Sequence, residues 1–221
     1  MPVITVTGLY GAGRETIGQM VAEPLDAELV DRKIFLEVQR RLDLPEDEVA
    51  AQEETPASLI DRVLTALGTS SAEFSAAPEA AWEPPFEDVP YDTRKAVLRV
   101  TQEVIRQAAA SGNAVIVGRG GACLLADRLC TLHVFLRGSE QDRLDSTLEG
   151  SGLTEERALK VLKHTDANRG AYVKQVYNQD WRQASHYQLI LDSSWLGWER
   201  TADLILAASR ATGATRSAPL P

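Results

Sequence analysis

The segment Val3-Ile4-Thr5-Val6-Thr7-Gly8-Leu9-Tyr10-Gly11-Ala12-Gly13-Arg14-Glu15-Thr16 decides how the rest of the chain is read. Val3 to Thr7 is β-branched throughout, which favours a strand. Gly8, Gly11 and Gly13 break that run, and from Arg14 to Glu23 the apolar residues Ile17 and Val21, with Met20, return on one helical face. Strand, glycine turn and helix in this order bring main-chain N–H groups and the partial positive charge of a helix N-terminus to one point. That is a cradle for phosphate. The spacing is that of G-x-x-x-x-G-K-[ST], with Arg14 in place of the lysine and Glu15 in place of the hydroxyl residue. Arg14 offers a fork of donors instead of a compact point charge. The candidate nucleotide-binding residues are therefore Gly8, Gly11, Ala12, Gly13, Arg14, Glu15 and Thr16, with Glu15 (through water) or Thr16 as the candidates for Mg²⁺. The competing reading is a plain glycine turn of an α/β protein. The place directly after the first strand, and a cation right after the last glycine, favour phosphate.

Further strands are expected at 28–30, 114–117, 132–136 and 187–191, with helical patterns at 93–110, 140–148, 154–176 and 198–208. Thr154 followed by Glu155 and Glu156 reads as a helix start. Strands alternating with helices predict a three-layer α/β/α fold around a five-stranded parallel sheet. Two stretches break the rhythm: short helices at 45–53 and 57–67, then 68–91, rich in Ala, Ser, Pro and Glu. The expected organisation is a core of 1–36 and 96–210, a helical insertion at 37–95, and a loose tail at 211–221.

Composition narrows the function. The 221 residues carry 23 Lys and Arg against 32 Asp and Glu, a net charge of -9. This balance argues against a nucleic-acid binder, so any bound anion must be held by a local cation cluster. No apolar run is long enough for a membrane helix. Two cysteines build no disulfide scaffold, and a cytoplasmic setting is expected. Three more charged groups follow expected strands, where open α/β sheets place their ligands. They are Asp31-Arg32-Lys33, Gly118-Arg119-Gly120-Gly121, and Arg137 with Arg143 beyond it. Asp166 and Arg169 share a helical face, ahead of Tyr172, Lys174, Tyr177 and Trp181, and Arg169 and Lys174 are candidates to bracket an anion. His133, inside an apolar run, reads as a core histidine, and His164 and His186 show no metal spacing. Cys123 and Cys130 read as buried thiols, and Trp195 and Trp198 as cover for the sheet edge.

Taken together, Gly11 to Gly18, Leu29-Val30-Asp31-Arg32-Lys33, Val115 to Gly120, Leu153-Thr154-Glu155-Glu156, Thr165 to Tyr172 and Trp181 through Ser194 resemble the bacterial cytidylate-kinase-like family. That family is a branch of the P-loop nucleoside monophosphate kinases. The resemblance implies transfer of the γ-phosphoryl of ATP to a nucleoside monophosphate, CMP or dCMP first among them, with Mg²⁺. It implies that Gly11, Gly13, Arg14, Glu15 and Thr16 cradle the ATP phosphates and that Asp31 and Arg119 face the monophosphate. Asp166 and Arg169 fall in a lid at 154–182, with Arg169 reaching the transferring phosphoryl. Arg143 joins Arg14, Arg119 and Arg169 as a permanently charged, bidentate phosphate ligand. Gly118 and Gly120 flank the arginine where ordinary cytidylate kinases have an Asp-Gly-Arg-Asp pattern. Two alternatives stay open: a nucleotide-binding regulator without turnover, and a kinase for another small hydroxyl metabolite.

Overall fold

The computed structural model describes residues 2–31, 34, 37, 40–41, 91–149 and 151–212. The expected helices at 45–53 and 57–67 and nearly all of the insertion at 37–95 lie outside the described residues, as does the tail from 213 onward. In chain order the elements are β1 (Val3–Gly8), α1 (Arg14–Ala22), β2 (Glu28–Val30), α2 (Tyr91–Ser111), β3 (Ala114–Val117), α3 (Gly121–Leu124) and β4 (Thr131–Arg137). They continue with α4 (Glu140–Leu148), α5 (Glu155–Tyr177), β5 (Leu189–Asp192), α6 (Ser193–Leu196) and α7 (Trp198–Thr212). The five strands form one parallel sheet in the order β2-β3-β1-β4-β5. The fold is α/β in three layers, as the alternation of patterns requires.

Side-chain alternation along β1 splits the core in two. Ile4 and Val6 point to the face covered by α1 and α7, where Ile17, Val21, Ala202 and Ile205 pack on Val115, Leu132, Val134 and Leu136. Val3 points to the opposite face, under Val97, Val100, Val104, Ile105 and Ala108 of α2 and the Tyr172 end of α5. Thr5 and His133 are register partners across β1 and β4. Thr5 Oγ1 lies 2.8 Å from His133 Nδ1, and burial holds the imidazole below its ordinary pKa. His133 is the core histidine its surroundings predict. A third, small cluster joins α4 and α5 through Leu144, Ala158 and Leu162, with Tyr10 packed against it.

The topology places the ligand end. The chain leaves β1 toward β2 on one side and leaves β4 toward β5 on the other, so the loops after β1 and β4 diverge and open a crevice at their C-terminal ends. Several local expectations are corrected here. Thr154 is the N-cap of α5, but its side chain makes no capping bond; its carbonyl accepts from Ala158 N–H at 2.9 Å, leaving Glu155 and Glu156 to favour the helix dipole. Cys123 is half-buried and Cys130 is exposed, with φ 60 in a tight turn, so neither is a fully buried thiol. Trp195 is 83% exposed and covers nothing. Among the described residues no helix is long and apolar enough to cross a membrane.

Ile17 is fully buried between α1 and the sheet. Ile17→Ala is expected to cost about 2–5 kcal/mol of stability by denaturant unfolding; a loss under about 1 kcal/mol would contradict this packing.

Candidate functional site

The loop from Leu9 to Gly13 is built by close approach. Gly11 has φ 76 and Gly13 has φ 75, in the left-handed region that glycine tolerates. A Cβ on Gly11 would sit 2.5 Å from the Arg143 carbonyl oxygen, and one on Gly13 would sit 2.7 Å from the Trp198 indole. Gly13 is also the N-cap residue of α1, so the first turn of the helix opens directly out of the loop. Ser193 at the start of α6 donates its hydroxyl to the Ala12 carbonyl at 2.8 Å. The loop is therefore clamped from α4, α6 and α7 at once.

Arginines converge beside it. Arg14, Arg119 and Arg169 line one small pocket with Gly118, Gly120 and Cys123, its far wall made of Tyr172, Trp181 and Tyr187. Each of the three arginines is at most 9% exposed. Arg14 reaches across to Gly118, where a Cβ would meet its Nη1 at 2.9 Å. That approach, with Gly118 at φ 66 and Arg119 itself at φ 56, accounts for the glycine-flanked arginine seen in the sequence. Asp31 Oδ1 lies 3.5 Å from Arg119 Nη2, and Arg119 Nη1 has no hydrogen-bond partner. Arg169 donates to the Gly8 carbonyl at 3.0 Å, stands over the Tyr10 ring at 5.5 Å, and leaves its Nε without a partner.

Burying these cations is costly. Burial, followed by the neighbouring charge of Arg14, lowers Arg169 to about 9. Burial also leads for Arg119, lowered to about 10 with Asp31 opposing and Arg14 adding to the shift. Both stay protonated at neutral pH, and an anion in the pocket would offset the repulsion each feels from Arg14. Glu15 accepts from Arg14 Nε at 2.6 Å. Loss of solvent would raise its carboxyl, but Arg14 and then Arg169 outweigh that, and its pKa lies below the ordinary value. Thr16 is exposed at the mouth of the loop. No group of three or more His, Cys, Asp and Glu among the described residues could hold a metal by itself. Mg²⁺ in nucleotide sites relies on one or two carboxylates plus phosphates and water, so an ionised Glu15 at the loop mouth fits that ion.

The remaining candidates lie behind the loop. Arg143 and Asp166 form an ion pair at 2.8 Å, their side chains 8% and 6% exposed. Arg143 Nη1 donates to the Tyr10 carbonyl at 3.0 Å, and Asp166 Oδ1 accepts from Tyr10 N–H at 2.8 Å. Neither side chain lines the arginine pocket. Lys174 is exposed on another face of α5 from Arg169, so these two do not bracket one anion. Arg137 is spent on Asp192 at 3.1 Å. Tyr10 went unnoticed in the sequence as a structural hub; its only signal was a bulky aromatic among glycines.

A family model described as the cytidylate kinase-like family matches residues 3–195. A cytidylate kinase of Methanopyrus kandleri is 25% identical over 215 residues, covering 93% of this chain and 92% of its own. Among solved structures, an uncharacterized protein from Eubacterium ventriosum superposes with a TM-score of 0.66 at 16% identity, over 96% of this chain and 99% of that one. The shikimate kinase of Bacteroides thetaiotaomicron gives a TM-score of 0.53 at 13% identity, over 95% and 98%. The likenesses to solved structures show the fold alone, an α/β architecture shared over nearly the whole chain.

The charge arrangement predicts how Glu15 titrates. Its folded pKa lies below 4.5, so it adds stability above that pH and loses it as the pH falls through the folded value. Carboxyl-carbon NMR is expected to place its midpoint below 4.5, and Arg14→Gln to raise it by removing the largest opposing charge. A midpoint unmoved by Arg14→Gln would contradict the pairing.

Proposed function

The chain belongs to the cytidylate kinase-like family, and on that premise we propose that it transfers the γ-phosphoryl group of ATP to a nucleoside monophosphate, with CMP or dCMP as acceptor. The observation that carries this reading is the convergence of Arg14, Arg119 and Arg169 on one pocket beside the glycine loop. Phosphoryl transfer asks little covalent chemistry of a protein; it needs two anionic reactants held in line and the charge on the transferring group neutralised. In this reading the amides at the N-terminus of α1 hold the donor's phosphates, with Ala12 and Gly13 shaping the turn and Arg14 reaching the terminal one. Arg119, steadied by Asp31, takes the acceptor's phosphate. Arg169, drawn from α5 into the same pocket, stabilises the group in flight. Glu15, with the exposed Thr16 beside it, would hold Mg²⁺, directly or through water. When bound, the ion would supply positive charge to offset that of the donor's phosphates. The α5 helix and the segment to residue 182 act as a lid that excludes water, the competing acceptor. The small-molecule partners are nucleotides, and the setting is cytoplasmic.

One observation favours a second reading. Arg14 and Glu15 are bonded to each other at 2.6 Å, so the two groups that would meet the terminal phosphate and the metal are engaged together. A nucleotide-binding regulator that never turns over fits that pairing.

An ADP-release assay across CMP, dCMP, UMP, AMP and GMP, with ATP and Mg²⁺, separates the two. Turnover with CMP or dCMP is the expected result. Arg14→Ala and Arg169→Ala are each expected to lower kcat about 10²–10³-fold with far-UV circular dichroism unchanged. Nucleotide binding with no ADP release for any of these acceptors would refute the nucleoside monophosphate kinase, leaving the regulator or a kinase for another small hydroxyl metabolite.

A further inference from the structure

We infer that Asp166 and Arg143 form a latch that holds the glycine loop in its phosphate-binding shape by gripping the main chain of Tyr10; the role given to the phosphate rests on the kinase reading above. Both polar groups of one backbone residue are taken by one buried ion pair. Asp166 Oδ1 accepts the Tyr10 N–H at 2.8 Å, Arg143 Nη1 donates to the Tyr10 carbonyl at 3.0 Å, and the two side chains meet at 2.8 Å. Arg182 Nη2 stands 3.9 Å from the same carboxylate at the rim.

The contact is more than a surface ion pair. The Tyr10 side chain packs into the small cluster of Leu144, Ala158 and Leu162 that joins α4 to α5. Gly11, the next residue, lies flat against the Arg143 carbonyl. One helix supplies two grips on the same loop, since Arg169, three residues after Asp166, holds the Gly8 carbonyl at 3.0 Å. A shift of α5 therefore carries the start of the loop with it. The Tyr10 amide is committed to a carboxylate and the Ala12 amide to the Leu9 carbonyl at 3.2 Å, which leaves the amides of Gly11 and of Gly13 to Thr16 for a phosphate.

Energetics point to positioning. A buried ion pair seldom stabilises a fold more than apolar residues of similar volume, because the loss of solvent offsets the attraction. An apolar pair should fold as well and grip nothing. Asp166 and Arg143 are thus positioning residues, acting through Tyr10.

The test compares wild type, Asp166→Asn and the double variant Arg143→Met with Asp166→Leu. Three measurements are made: thermal unfolding, hydrogen exchange of the loop in ligand-free protein, and calorimetric binding of ATP with the KM of each substrate. The double variant is expected to unfold within a few degrees of wild type while its loop amides exchange at least tenfold faster. Its affinity for ATP should fall about tenfold or more, with the acceptor's KM changed less than twofold. Asp166→Asn, which keeps an acceptor for the Tyr10 amide but loses the charge, is expected to fall between. A folded double variant with wild-type loop exchange overturns the latch, and so does one that fails to fold, since the pair would then be structural. Wild type that binds no ATP refutes the kinase reading instead, and the ligand-free exchange still decides the latch.

Discussion

Charge taken out of water is the constraint on which this structure turns. Arg14, Arg119, Arg143 and Arg169 are all at most 9% exposed, and they lie at one end of the sheet. The effective penalty for burying an ion is several kcal/mol even after relaxation. Only Arg143 is matched by an equally buried carboxylate, Asp166. Arg14 and Arg119 have the partly exposed Glu15 and Asp31, and Arg169 makes do with a carbonyl and an aromatic face. Arg119 Nη1, Arg143 Nε and Arg169 Nε, all buried, have no hydrogen-bond partner. In the proposed reading, cations held this way await the anion of a bound nucleotide.

The glycine loop beside these arginines is held in one shape by its neighbours. Its turns rest on neighbouring backbone and rings so closely that side chains at Gly11 and Gly13 would collide. Support arrives from elements far apart in sequence: the start of α4, the first residue of α6, the indole that opens α7, and two side chains of α5. Pre-organisation of this kind lets amides meet charge without paying reorganisation at that moment. It also ties the loop to α5, whose Arg169, Tyr172 and Val173 line the pocket, so loop and helix are mechanically one piece.

Much of this was legible in the sequence because two periodicities are unambiguous there. The β-branched run at Val3 to Thr7 and the all-apolar Ala114–Val117 mark central strands, and the structure returns them nearly residue for residue. The glycine turn between strand and helix at Gly8 to Arg14 was equally plain, and the structure places it there with Gly11 and Gly13 at positive φ. Arg119 and Arg169 were visible as cations at a strand end and on a helix face. What was hidden depends on contacts between distant residues. Arg143 read as a phosphate ligand, yet it faces Tyr10 and Asp166, and no local pattern reveals which way a helical arginine points. Tyr10 drew no reading of its own and is the hub. Thr154 starts the helix as read, though through its carbonyl and not its side chain, whereas Trp195 read as cover and is bare. Each miss concerns a side-chain direction, which tertiary packing sets and sequence spacing does not.

The claim beneath the account is that main-chain amides at the opening of α1 bind a polyphosphate. The most direct test is a ¹⁵N–¹H NMR titration of the protein with inorganic pyrophosphate, which has no base or sugar to bind elsewhere. The account predicts saturable downfield shifts of the Gly11, Gly13, Arg14, Glu15 and Thr16 amides, with the Tyr10 amide, held by Asp166, moving least. Shifts confined to exposed lysines, or loop amides that stay in place at saturating pyrophosphate, would contradict it.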